Sequence, residues 1–383
     1  MSASVLDQLT LGYRFLWNRR REAAAIELHV EPLPDASGVD ARHLLSVLAE
    51  LWPARAARML LCVSHPALLL DLLVHGRPDG PWLALPPATL TDAVLRPRAQ
   101  QAQARGLPLV WSGRTVEAMA ITGRPGMYLS DNPHAGGTPS PGQIVQNSGR
   151  RAQADAALDQ HAAWAVAGWP VEDVLDSLSS QTRCPARVVI SRVVRAIDDD
   201  VSMERLETLL CADPLLAYRF LLHVNTTAPQ LRGEIDTVQR GLQVWGLKHV
   251  QAWLLDQLPQ AVDAPDLQPV RHGMVTRARL LEHLLDAGDE QELRREVHLC
   301  GLFSQLDGLL GEPLAAVLQR LPLSQRILQA LLEHAGPYHP ALQLAHALES
   351  TDTRATRLLA ESYGYTPEDV NRALLRTLVN LAA

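Results

Sequence analysis

Residues 182–258 read TRCPARVVISRVVRAIDDDVSMERLETLLCADPLLAYRFLLHVNTTAPQLRGEIDTVQRGLQVWGLKHVQAWLLDQL, and in this stretch helix starts, helix stops and apolar spacings agree with one another. Asp213 before Pro214 predicts a helix start, because the carboxylate can accept from orphan amides and the missing proline N–H costs nothing there. Leu216, Phe220 and Val224 then recur at i, i+4 and i+8 on one buried face. The preceding helix carries Leu206, Leu209 and Leu210, with Ser202 placed to cap it and Glu204 favourable against its dipole. The segment from Asn225 to Gly233 breaks the pattern with a proline and a glycine. Asp236 is then expected to cap a helix with Val238, Leu242 and Trp245 on one side and Gly246 at its end. Leu247, Val250, Leu254 and Leu258 mark another helix, stopped at Pro259.

Working outward, the carboxyl-terminal stretch is expected to be helical throughout. Helices open at Glu312–Pro313, at Pro322–Ser324, at Thr351 or Asp352, and at Thr366–Pro367, and Gly336–Pro337 and Gly364 close two of them. Leu374, Leu375, Leu378 and Leu381 give the last helix an apolar stripe, read as core packing ahead of a homodimer contact. The amino-terminal half has another texture. Apolar runs at 11–17, 24–31, 59–65, 81–87 and 107–113 alternate with helical stretches at 40–51 and 91–105. That alternation argues for a parallel sheet with helical crossovers, either barrel or open. Residues 131–151, rich in Gly, Pro, Ser and Asn, read as a long loop, and 157–177 as a helix with a turn at Gly168.

The segments ADPLLAYRFLLHVNT (212–226) and VWGL (244–247) resemble the HDOD domain, a helical bacterial signalling module related to the HD phosphohydrolases. More weakly, GYRFLWN (12–18) and AGWPVE (167–172) resemble the first strand and the last strand end of an EAL-type phosphodiesterase barrel, which degrades cyclic di-GMP. The fold class expected is therefore α/β plus all-α: a degenerate, shortened EAL-like, TIM-barrel-derived domain over 1–180, followed by an HDOD domain over 181–383.

Both resemblances carry expectations about chemistry. EAL-type enzymes hold two divalent cations on carboxylates and an asparagine at strand ends. The resemblance aligns their metal-binding glutamate with Arg14 and a substrate-contacting arginine with Asn18, and the chain's single lysine, Lys248, lies in the other half. In the helical half His272 falls where the first HD-type ligand would be, and in VHLCGLFSQLDGLLG (297–311) Ser304 and Gln305 replace the His-Asp pair. Serine and glutamine are poor ligands for a divalent ion. The expectation is a non-catalytic regulatory protein, without cofactor or metal, acting through a protein partner and linked by resemblance to cyclic di-GMP. One alternative is a receptor for cyclic di-GMP or another nucleotide, with Arg14 and Arg114 on phosphate and Trp17 or Trp111 stacking a base. Another is a residual metal-dependent phosphohydrolase using His272.

Composition narrows the remaining classes. Apolar residues are 47% and charged residues 20% of 383, which fits two globular domains. A net charge of −7 argues against bulk attraction to nucleic acid or anionic lipid. No apolar run is long enough for a spanning helix and no leader pattern opens the chain, so the cytoplasm is the expected location. Cys62, Cys184, Cys211 and Cys300 stand far apart, without a CxxC pair, and are expected to be reduced. The pair His334 and His339 in HAGPYH reads as an ordinary turn ahead of a metal clamp.

Overall fold

The computed structural model describes residues 4–36, 38–53, 56–112, 127–130, 142–179, 183–227, 235–285 and 291–381. They form two compact units, one of residues 1–173 with 343–383, the other of residues 174–342.

The first unit is built on a closed barrel of eight strands in sequence order: β1 Leu9–Trp17, β2 Ala23–Pro32, β3 Arg58–Val63, β4 Trp82–Leu85, β5 Leu109–Ser112, β6 Met127–Ser130, β7 Gln143–Val145 and β8 Ala165–Ala167. Strands β2 to β8 run parallel, and β1 is antiparallel to both neighbours. Helices α1 Ala41–Leu51, α2 Pro66–His75 and α3 Leu95–Ala104 supply crossovers. The Asp40 carboxylate caps α1, accepting from the amides of Arg42 and His43.

Five of these strands were legible as apolar runs, but β7 and β8 correct the sequence reading. Gln143–Val145 lies in the stretch read as loop, whose residues 131–141 fall outside the described ones. Ala165–Ala167 lies in the stretch read as helix. Three wholly buried residues are too few to display a period.

Inside the barrel, Leu16, Ala25, Leu60, Ala84, Val110, Leu129, Ile144, Ala165 and Ala167 pack as one apolar layer. Trp82 and Trp164, ring centroids 5.4 Å apart, pack against it from the amino-terminal ends of the parallel strands, with the Arg58 guanidinium 5.1 Å over Trp82. Small residues suit the narrow interior of an eight-stranded barrel.

β1 and β2 are longer than the rest. β1 pairs with β2 from Leu9 to Trp17, whereas its pairing with β8 covers only Leu16 and Trp17. Its upper edge on the β8 side is completed by the end of the chain. From α13 (Pro367–Leu381), the buried Asn371 side chain donates to the carbonyls of Leu6 and Leu9, both at 2.8 Å, and accepts from the Leu11 amide at 3.2 Å. One carboxamide thus takes the place of a missing strand. This is why residues 343–383, expected in the helical half, group with the barrel.

The second unit is helical: α4 Arg187–Asp198, α5 Met203–Leu210, α6 Pro214–Thr227, α7 Val238–Trp245, α8 Leu247–Gln257, α9 Gln268–Leu284 and α10 Gln291–Leu302, with shorter turns after them. Asp213 caps α6 as expected, accepting from the amides of Leu215 and Leu216 at 2.9 and 3.3 Å. Its second oxygen accepts from the Ala186 amide at 2.7 Å, tying the entry of α4 to the same residue. Ser202 caps α5. The cap of α7 is Thr237, whose hydroxyl accepts from the Arg240 amide, and Asp236 instead lies 3.6 Å from the Arg240 guanidinium. Near the end of α6, Asn225 donates to Ile235 O at 2.8 Å and accepts from its amide at 3.0 Å. Helices α9 and α10 approach closely at Gly301, where an added Cβ would stand 2.5 Å from the Ala278 Cα.

Candidate functional site

A strand turns successive side chains to opposite faces, so the apolar layer fixes which residues of β1 to β3 point into the barrel. Leu16 is inside, hence Arg14 and Gly12 are too; Ala25 is inside, hence Glu27 and His29; Leu60 is inside, hence Cys62. These form a polar layer on the side of the barrel where the parallel strands end. Arg14 lies opposite Glu27, and His29 opposite both Gly12 and Cys62.

Glu27 is completely buried, while the Arg14 side chain is 17% exposed. The Arg14 guanidinium donates through Nε to Glu27 Oε2 at 2.8 Å, with Nη2 2.7 Å from the same oxygen. His29 Nε2 stands 3.5 Å from that oxygen, an ion-pair distance. Oε1 has no hydrogen-bond partner among the described residues. Burial pushes the Glu27 carboxyl up, but His29 and Arg14 together outweigh it and hold the group below its ordinary value. The Cys62 thiol, half-buried, is pushed well up by burial and by the Glu27 carboxylate, against a smaller pull from Arg14, so it is held in the protonated form. At the end of β8, Gly168 has φ +73°, and an added Cβ would meet the Arg14 Cδ at 3.0 Å.

The residues expected to bind a nucleotide are therefore not brought together. Trp17 shares the outer face of β1 with Tyr13 and Phe15, its ring 5.4 Å from Phe15, and is buried there. Trp111 follows the inward Val110 and so also faces outward, buried. Both tryptophans serve the packing between barrel and surrounding chain. Arg114 lies outside the described residues. Arg14 does reach the interior, where it is the ion-pair partner of Glu27 and not a phosphate contact held free for a ligand. Glu27, His29 and Cys62 were missed. Their signal was present in AAIELHVE and MLLCVSH, where polar residues alternate with large apolar ones, but only the β1–β2 register shows that Glu27 meets Arg14.

In the helical unit, burial and the positive charge of Arg279 hold His272 neutral, its value lowered to about 4. Ser304 accepts from the buried Arg277 guanidinium at 2.8 Å and donates to Gly301 O at 2.7 Å. The position expected to be without a ligand thus faces a cation of the protein's own. His334 and His339 lie with ring centroids 5.7 Å apart. Among the described residues no group of three or more His, Cys, Asp or Glu is arranged to hold a metal ion, and no helix is long and apolar enough to cross a membrane.

Residues 185–310 match the model of the HDOD domain, so an HDOD domain lies within the helical unit. Over 192 residues the chain is 23% identical to a cyclic di-GMP phosphodiesterase, CdgJ, of Vibrio cholerae serotype O1, covering 50% of this chain and 44% of that protein. Over 155 residues it is 25% identical to an uncharacterized protein, YuxH, of Bacillus subtilis, covering 39% and 37%. The chain thus spans less than half the length of these curated relatives. Among solved structures it is similar to the MmoQ response regulator of Methylococcus capsulatus strain Bath, at 18% identity and a TM-score of 0.41, over 51% of this chain and 98% of that one. A virulence factor of Campylobacter jejuni subsp. jejuni aligns at 14% identity and a TM-score of 0.38, over 55% and 97%.

Proposed function

We propose that this chain is a bacterial signal-transduction protein that acts by binding a regulatory protein partner, in a pathway linked to cyclic di-GMP, and that it does not hydrolyse the nucleotide itself. The observation that carries this reading is the HDOD domain at 185–310, in a chain related to a protein named as a cyclic di-GMP phosphodiesterase. The eight-stranded barrel is compatible with the degenerate EAL-like domain proposed for the amino-terminal part.

The chemistry of both candidate centres supports binding without turnover. Two-metal hydrolysis needs several carboxylates free to face cations. In the barrel the Glu27 carboxylate is neutralised by Arg14, the residue that stands where the EAL resemblance places a metal-binding glutamate. In the helical unit Ser304 and Gln305 stand where the His-Asp pair would be, and Arg277 donates to Ser304. The receptor reading loses its stacking residues with Trp17 and Trp111 turned outward.

Calorimetric titration with cyclic di-GMP in Mg²⁺ and then in Mn²⁺, with the nucleotide recovered and chromatographed, tests the proposal. Intact nucleotide is the expected result in both metals. Heat of binding with intact nucleotide would move the protein to the receptor class, and cleavage would overturn the non-catalytic reading.

A further inference from the structure

On the β1 side the barrel's polar layer meets backbone from the carboxyl-terminal part of the chain. Gly12 turns its missing side chain inward, and an added Cβ would stand 2.5 Å from the carbonyl oxygen of Ser350 and 3.7 Å from that of Leu348. Backbone belonging to the link between α11 (His339–Leu348) and α12 (Thr353–Tyr363) therefore rests directly on the inner face of β1. Only a glycine permits that approach. The same segment is fixed at a second place by the three Asn371 hydrogen bonds to Leu6, Leu9 and Leu11. Two residues along β1 from Gly12 on the same inward face is Arg14, and across the ladder from Gly12 is His29, itself opposite Cys62.

We propose that residues 343–381 are a latched cover over the polar layer, seated on Gly12 through the Leu348–Ser350 turn and fastened by Asn371. With the segment seated, the Arg14 and His29 side chains are each 17% exposed and Cys62 is half-buried; wider access to them and to Glu27 from the β1 side requires this segment to lift while the eight strands stay paired. The strand pairing does not depend on the seat at Ser350: β1 keeps its whole ladder with β2 and its two residues against β8. The cover can therefore open as a sub-global unit, at a cost below that of unfolding the barrel. The inference does not depend on which ligand, if any, enters.

Cys62 provides a readout that needs no ligand, because it packs against the inner apolar layer. In the full-length chain, Cys62 alkylation by N-ethylmaleimide is followed by peptide mass spectrometry alongside hydrogen exchange of β5 and β7. In Asn371→Ala the rate of Cys62 labelling is expected to rise at least tenfold, and in Gly12→Ala, which sets a methyl against Ser350, by a similar factor. Exchange in β5 and β7 should stay at the wild-type rate. Unchanged labelling in both variants, or labelling that rises only together with exchange in β5 and β7, overturns the proposal. Should either variant fail to fold, the wild-type chain decides. The urea dependence of its Cys62 labelling should be shallow, and a slope equal to that of global unfolding would sink the cover.

Discussion

At the scale of single residues, Arg14 and Glu27 form an ion pair inside the barrel whose carboxylate is wholly buried. A buried pair adds little over well-packed apolar residues, but breaking it by removing one partner typically costs about 3–5 kcal/mol. Glu27→Gln leaves the Arg14 charge without its counter-ion, and, because Arg14 keeps some solvent contact, the expected loss lies at the low end, about 3 kcal/mol by urea denaturation at pH 7. The sign of the pH dependence follows from the lowered carboxyl of Glu27. The folded state binds this proton more weakly than the unfolded state, so the stabilisation is complete above about pH 4.5 and is lost as pH falls through the lowered folded value. The gap between wild type and Glu27→Gln should therefore shrink as pH falls below about 4.5. A gap that widened as pH falls below about 4.5 would mean that Glu27 is not the charged partner.

At the scale of elements, the sequence was most legible where a helix end is a local event. Asp213, Ser202, Gly246, Ser324, Asp352 and Gly364 all mark ends as read, because capping involves residues two or three positions apart. Strands β1 to β5 were legible for a similar reason, as apolar runs set off by turns. What could not be read were facts that depend on register. Trp17 and Trp111 carry no local mark of facing outward, and nothing near Arg14 in sequence names Glu27 as its partner until β1 is known to lie antiparallel to β2. Gly12 and Gly301 were equally silent, since the atoms that forbid a side chain there come from distant segments. Gly301→Ala tests the second case. Its methyl would fall 2.5 Å from the Ala278 Cα and 2.8 Å from the Ala278 amide nitrogen, backbone atoms that cannot rotate away. The helical unit should lose about 1–3 kcal/mol on overpacking, read as a lowered thermal midpoint, although alanine is the better helix former. Unchanged or raised stability would show that α9 and α10 part without strain.

At the scale of the whole molecule, the two compact units are not two consecutive halves, because residues 343–383 return to the barrel. A chain ended after Leu342 should keep the cooperative transitions of both units, with that of the barrel at a lowered midpoint, measured by calorimetry and near-ultraviolet circular dichroism. Loss of the barrel transition would show that the returning segment cannot leave while the strands stay paired. The Asn371 contact also has a temporal meaning. It joins residues 365 positions apart, and at ordinary translation speeds of about 5–20 residues per second the partner of Leu6 leaves the ribosome roughly 20–70 s after Leu6 itself. For all that time β1 offers bare amides and carbonyls to any strand it meets, so the nascent chain is a natural client for chaperones.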